Sequence, residues 1–150
     1  LQSLLNDTII ELRRTVWLIN KPSVKLDEWI VKLREYYLKI NEVKLGITII
    51  ENEESLLTSK QATNLFRVIQ EATNNAIKHS NTSFVKVSIQ TENNHLIIVI
   101  RDNGKGFDQN KVSNGFGLAN MRQNIQEIGG QFIIESELGM GTLITVKFPL

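Results

Sequence analysis

A chain of 150 residues, 41% hydrophobic and 22% charged, fits one ordinary globular domain with at most an appended element. Lys and Arg number 17 against 16 Asp and Glu, and a net charge of +1 argues against broad binding to nucleic acid or to an anionic membrane surface. With no Cys, disulfide frameworks and Cys-based zinc sites are excluded, and the longest apolar run, Leu96 to Ile100, is far too short to span a bilayer.

Residues 1 to 20 read as a helix, with Leu4, Leu5, Ile9, Leu12, Val16 and Ile19 at helical spacing. The chain opens on Leu1 inside that pattern, as a piece of a longer protein would. Lys21-Pro22-Ser23 breaks it, because proline disfavours helix at the residue before it. A second helix is expected over about 25 to 43, stopped by Gly46, and a short strand over Ile47 to Ile50. Thr58-Ser59-Lys60-Gln61 matches a capping box opening a long helix to about 79. Two strands follow, 83 to 91 and 95 to 102, joined by Glu92-Asn93-Asn94. A glycine-containing loop spans 103 to 114. A helix over about 116 to 128 stops at Gly129-Gly130, and strands 131 to 136 and 142 to 148 turn at Gly139-Met140-Gly141. The order predicts an α/β fold of the α+β type: a two-layer sandwich of a mixed sheet with helices on one face.

Three segments carry chemistry. In the first, Gln70 to His79, Glu71 and Asn75 share a helix face, and Lys78 lies one turn beyond Asn75. A carboxylate, an amide oxygen and an ammonium suit a hydrated Mg²⁺ and phosphates, since Mg²⁺ takes hard oxygen ligands and keeps several waters. Read alone, the same face is an ordinary solvated surface, with Lys78 and His79 complementing the helix C-terminus. In the second, Asp102-Asn103-Gly104-Lys105-Gly106-Phe107, the Asp follows an apolar strand. A buried carboxylate there accepts a hydrogen bond from an exocyclic amine, which selects adenine over guanine, and Gly104 and Gly106 leave room for a base. The alternative is a plain Asp-Asn-Gly turn. In the third, Gly115-Phe116-Gly117-Leu118, glycines opening a helix free backbone N–H groups for phosphate oxygens, or simply begin a helix after a loop.

Other nucleotide motifs fit less well. A dinucleotide fold wants G-x-G-x-x-G directly after its first strand. Asn120 replaces the third glycine here, and 12 residues separate Asp102 from Gly115, although Glu135 has the spacing of a ribose-binding acid. No P-loop sequence is present. Ser, His and Asp form no recognisable triad, two His without Cys support no metal cluster, and His95 reads as a solvated hairpin residue.

In their order, the three segments resemble those of the ATP-binding catalytic domain of sensor histidine kinases, within the GHKL ATPase superfamily. The subgroup most alike is the one paired with helix-turn-helix response regulators. The resemblance covers essentially the whole chain and is strongest from 61 to 150. It implies the GHKL (Bergerat) ATP-binding fold over 21 to 150, preceded at 1 to 20 by the C-terminal part of the second helix of a dimerisation and phosphoacceptor hairpin. By this likeness Asn75 coordinates Mg²⁺, Glu71 is the leading acid of the same box, and Lys78 and His79 lie near phosphates or ribose. Asp102 reads adenine, Gly104 and Gly106 line the base, and Gly115, Phe116, Gly117 and Leu118 form the second glycine box. Residues 107 to 114 form a short lid, and Thr142 helps hold the base through water. Asn124 departs from the subgroup, which often has Arg there.

The resemblance further implies a protein-histidine kinase that binds Mg·ATP and donates the γ-phosphate to a His upstream of Leu1. The phosphate then passes to an Asp of a response regulator receiver domain. The general base lies outside these residues, and Glu71 orients a metal-bound water. The fragment by itself is not expected to autophosphorylate. The full-length protein is expected to dimerise through the hairpin, in the cytoplasm, with no nucleic-acid or membrane contact by this fragment. Two rivals are an anti-sigma-type serine kinase on the same fold and a non-catalytic ATP-gated module.

Overall fold

The structure is a computed structural model and describes residues 21–39, 44–50, 53–82, 84–111 and 117–150. In chain order the elements are β1 (Ser23–Lys25), α1 (Leu26–Lys39), β2 (Lys44–Ile49), β3 (Leu56–Thr58) and α2 (Ser59–Lys78). They continue with β4 (Phe84–Glu92), β5 (His95–Asp102), α3 (Leu118–Gln126), β6 (Gln131–Glu137) and β7 (Gly141–Pro149). The expected helix over 1 to 20 lies outside the described residues.

Alternation builds the sheet. Val85, Val87 and Ile89 on β4, Leu96, Ile98 and Ile100 on β5, and Ile144, Val146 and Phe148 on β7 all point inward and are buried. Five strands run in the order β2-β4-β5-β7-β6, with β2 parallel to β4 and every other pair antiparallel. The mixed sheet with helices on one face matches the expected fold class. Asn93 and Asn94, both at positive φ, make the tight turn between β4 and β5.

The helices cover the inward face. α2 buries Ala62, Leu65, Phe66, Ile69, Ala72 and Ala76 at three- and four-residue spacing. Its start is the predicted capping box: Gln61 N–H donates to Thr58 Oγ1 at 3.1 Å, and Thr58 N–H to Gln61 Oε1 at 2.9 Å. A cap of this kind is worth about 1 kcal/mol. Trp29 locks α1 against α2, donating from Nε1 to the Ala62 carbonyl at 3.1 Å while its ring is buried. Asn64, also buried, clasps α2 to α3 by donating to the Asn124 carbonyl at 2.8 Å and to Glu127 Oε2 at 3.1 Å.

Two sequence expectations need correction. Gly46 does not stop a helix; it lies inside β2, paired with Lys86, where a Cβ would come 3.2 Å from the Phe84 ring. Parallel pairing with β4 outweighs the usual punctuation by glycine. The segment between α1 and α2 also supplies β3, which pairs antiparallel with β1 and buries Val24 and Leu57. Three-residue strands carry too little periodicity to announce themselves.

Candidate nucleotide site

At one end of the sheet the inward-facing row runs from an apolar residue into three polar ones. Val85 on β4 pairs with Asp102 on β5, Asp102 with Thr142 on β7, and Thr142 with Ser136 on β6. Asp102 is buried because it occupies an inward position of β5. Its Oδ1 accepts the Gly104 N–H at 2.9 Å. Among the described residues nothing donates to Oδ2, and no fully buried side-chain oxygen lacks a partner, so Oδ2 faces open space.

That space is a narrow cavity of about 20 Å³, which a base would have to widen to enter. Asn75 and His79 from α2, Asp102, Leu118 at the start of α3, and Thr142 all line it. Its walls are largely apolar, with Ala72, Val85, Ile100, Phe107, Ile134 and Ile144. Aliphatic walls and one aromatic ring around a single free carboxylate oxygen suit a flat heteroaromatic base carrying an amine donor.

The other predicted residues surround this cavity. Gly104 is pressed against the end of α2: a Cβ there would stand 2.2 Å from Ser80 Cβ, and Lys105 N–H donates to the Ser80 carbonyl at 2.9 Å. A Cβ on Gly106 would fall 2.0 Å from the Glu137 carbonyl oxygen. Gly117, at φ 64°, precedes α3 without a side-chain cap, leaving the first N–H groups of that helix uncapped by it. A Cβ on Gly117 would lie 2.2 Å from Glu71 Oε1. Glu71 is therefore half-buried against the α3 start and lies outside the cavity lining. Lys78 is exposed in the last turn of α2. Gly115, Phe116 and much of the expected lid lie outside the described residues.

Ser136 was missed by sequence reasoning. Its hydroxyl accepts the Phe107 N–H at 3.0 Å, donates to the Gly141 carbonyl at 2.9 Å and meets Thr142 Oγ1 at 3.0 Å. A hydroxyl has one proton, so with that proton on Gly141 it is Thr142 that donates to Ser136. The Thr142 oxygen then keeps a lone pair for a ligand or water. The available sign was a serine at an inward position of β6. No group of three or more acidic or His side chains able to hold a metal occurs among the described residues. A cation here would draw most of its ligands from phosphates and water, as Mg²⁺ does, and the Asn75 amide is among the oxygens of the cavity lining.

A sequence model of the histidine kinase-, DNA gyrase B- and HSP90-like ATPases matches residues 60–150. The chain belongs to this ATPase family. The match takes in α2, Asp102 and the glycine segment opening α3, the elements that enclose the cavity. ATP binding is the property these ATPases are named for. Within the family, the chain is 38% identical over 104 residues to the signal transduction histidine-protein kinase/phosphatase DegS of Bacillus subtilis, covering 67% of this chain and 27% of DegS. It is 45% identical over 87 residues to the sensor protein VraS of Staphylococcus aureus, covering 57% of this chain and 25% of VraS. The chain thus spans about a quarter of the length of these relatives. In fold it resembles the catalytic domain of the histidine kinase ThkA, with a TM-score of 0.65 and 18% identity over 85% of this chain and 93% of that one. The mycobacterial sensor histidine kinase MprB gives 0.62 and 22% over 85% and 95%.

Among the described residues no helix is long and apolar enough to cross a membrane.

Proposed function

We propose that this chain is the ATP-binding catalytic part of a two-component sensor histidine kinase. The observation that carries the reading is the pairing of Asp102 with Thr142 inside a cavity that Asn75 also lines. One free carboxylate oxygen accepts the adenine amine, the Thr142 hydroxyl supplies a second polar contact, and the base lies between apolar walls. His79 at the cavity rim and exposed Lys78 sit toward the ribose and phosphates. The uncapped N–H groups after Gly117 receive phosphate oxygens.

Asn75 would be the protein ligand of a phosphate-bound Mg²⁺, which would supply charge neutralisation. In the transfer, a ring nitrogen of the acceptor His uses its lone pair to bond the γ-phosphorus. The bond to the β,γ-bridging oxygen breaks, and its electron pair leaves with ADP. The proton on the other ring nitrogen passes to a base supplied with the acceptor. Glu71, half-buried beside Gly117, accepts a hydrogen bond from water near the phosphates and so orients the approach. The acceptor His belongs to a helical hairpin outside the described residues. The phosphorylated protein then serves an Asp of a response regulator receiver domain. Dimerisation through that hairpin and a cytoplasmic location belong to the same proposal.

Isothermal titration of the purified chain with ATP and Mg²⁺ tests the site. Saturable binding that GTP does not reproduce is expected, and equal binding of GTP overturns the adenine assignment. When the chain is joined to its acceptor hairpin, [γ-³²P]ATP should label a His with acid-labile, base-stable phosphate; acid-stable label would mean a hydroxyl acceptor instead.

A further inference from the structure

The nucleotide cavity has walls of unequal stiffness. Ile100, Ile134 and Ile144 belong to paired strands, so the ladder sets their positions. The α2 wall is a capped helix whose end is closed by the His79 and Ser80 N–H groups on the Asn75 carbonyl, at 2.9 and 3.2 Å. Leu118 opens α3, which Asn64 grips through the Asn124 carbonyl and Glu127. Phe107 is different: buried, it lines the cavity from a stretch that is neither helix nor strand. At about 20 Å³ the space admits roughly one water, so a purine enters only if a wall yields.

The attachments of that stretch show how it can yield. Just before it, Lys105 donates its N–H to the Ser80 carbonyl at 2.9 Å and accepts the Gly139 N–H at 2.6 Å. The Phe107 N–H then donates to Ser136 Oγ at 3.0 Å, in a buried bond. Two residues on, Gln109 Nε2 donates to the Ile134 carbonyl at 2.7 Å. Gln109 is exposed, so water takes over each partner when this bond opens, and its net worth is small. Ile134 sits on β6 at the edge of the sheet, and its side chain lines the cavity. The Gln109 bond thus holds the Phe107 stretch against a strand residue that faces the cavity.

We infer that Phe107 is the movable wall of the nucleotide cavity, with its N–H on Ser136 as the pivot and Gln109 as the latch that holds it shut. The inference rests on the ATP-site reading above. Opening keeps the buried bond and gives up the exposed one, which costs less to break. A nucleotide that binds the open form has its apparent affinity lowered by the fraction of the protein that is open. Gln109 is then a positioning residue that acts against binding, and its removal tightens the complex.

Stopped-flow fluorescence of the purified chain, with Mg²⁺ and ATP carrying a methylanthraniloyl group on its ribose, tests this. Losing one neutral hydrogen bond shifts an equilibrium by about two- to tenfold. Gln109→Ala should therefore raise the association rate by that factor, leave the dissociation rate unchanged and lower the dissociation constant in proportion. Phe107→Ala removes the wall, so it should also speed association, and adding Gln109→Ala to it should give no further gain. Association at the wild-type rate in Gln109→Ala overturns the latch. Faster dissociation in that variant overturns it too, because Gln109 would then hold the bound nucleotide. An equal gain with the ring already gone overturns Phe107 as the wall. Should Phe107→Ala not fold, the Gln109→Ala rates decide alone. If the unmodified chain bound no labelled ATP, the nucleotide reading itself would fall, and this proposal with it.

Discussion

Asp102 and Thr142 stand directly opposite each other on β5 and β7, both facing the helix layer. Directly opposed residues of an antiparallel pair have their Cβ atoms about 4.5–5.5 Å apart. One carboxylate oxygen is held by the Gly104 N–H, and the Thr142 hydroxyl is oriented by Ser136. A ligand reaching both groups would meet a geometry already set, which would reduce the ordering cost of binding.

Asp102→Asn preserves shape and keeps an oxygen for the Gly104 N–H, so the fold should survive. The amide then presents N–H groups where adenine also presents a donor. ATP affinity should fall about ten- to a hundredfold, the equivalent of roughly 1.5–3 kcal/mol for a charge-assisted hydrogen bond. Titration calorimetry on a variant with an unchanged circular dichroism spectrum measures this. Wild-type affinity would remove Asp102 from the base site.

Asn75→Ala removes the amide oxygen that lines the cavity from α2. Nucleotide binding should persist in weakened form and lose its dependence on Mg²⁺. Parallel titrations with Mg²⁺ and with EDTA decide the matter. An undiminished Mg²⁺ effect in the variant places the cation elsewhere.

Gly117→Ala combines a left-handed backbone at φ 64° with a Cβ 2.2 Å from Glu71 Oε1. The backbone alone costs about 1–2 kcal/mol for an L-residue. Glu71 must also move, so ATP affinity should drop several-fold. Adding Glu71→Ala should relieve the steric part and leave the backbone part. A double-mutant cycle on urea midpoints should therefore show favourable coupling, and strict additivity would mean the two residues do not press on one another.

Ser136→Ala removes a buried hydroxyl that accepts the Phe107 N–H, donates to the Gly141 carbonyl and meets Thr142 Oγ1. Each such hydrogen bond is worth about 0.5–1.5 kcal/mol net. In a domain of this size each kcal/mol corresponds to about 2–4 °C, so thermal denaturation should shift down by several degrees. ATP affinity should fall as well, because Thr142 loses its orienting partner. An unshifted melting curve would show that solvent replaces the hydroxyl without penalty.

Much of this molecule was legible in the linear order of residues. The capping box at Thr58 to Gln61, the alternation along β4 and β5, and the asparagine turn between them are all local. Their cause lies within a few residues, so it can be read without knowing the fold. Asn75, Asp102 and Leu118 were picked out as candidates for the same reason, each lying in a short chemical pattern on one element, and all three line the cavity. What only the tertiary structure decided is what these patterns face. The register of β5, β7 and β6 set Thr142 opposite Asp102 and brought the unforeseen Ser136 beside it. The parallel pairing of β2 placed Gly46 inside a strand. The packing of α3 on α2 carried Glu71 away from the cavity lining. Local hydrogen bonding and side-chain periodicity are properties of sequence neighbours. Register, burial and the facing of two helices depend on contacts between residues tens of positions apart, and those contacts exist only once the chain has closed on itself.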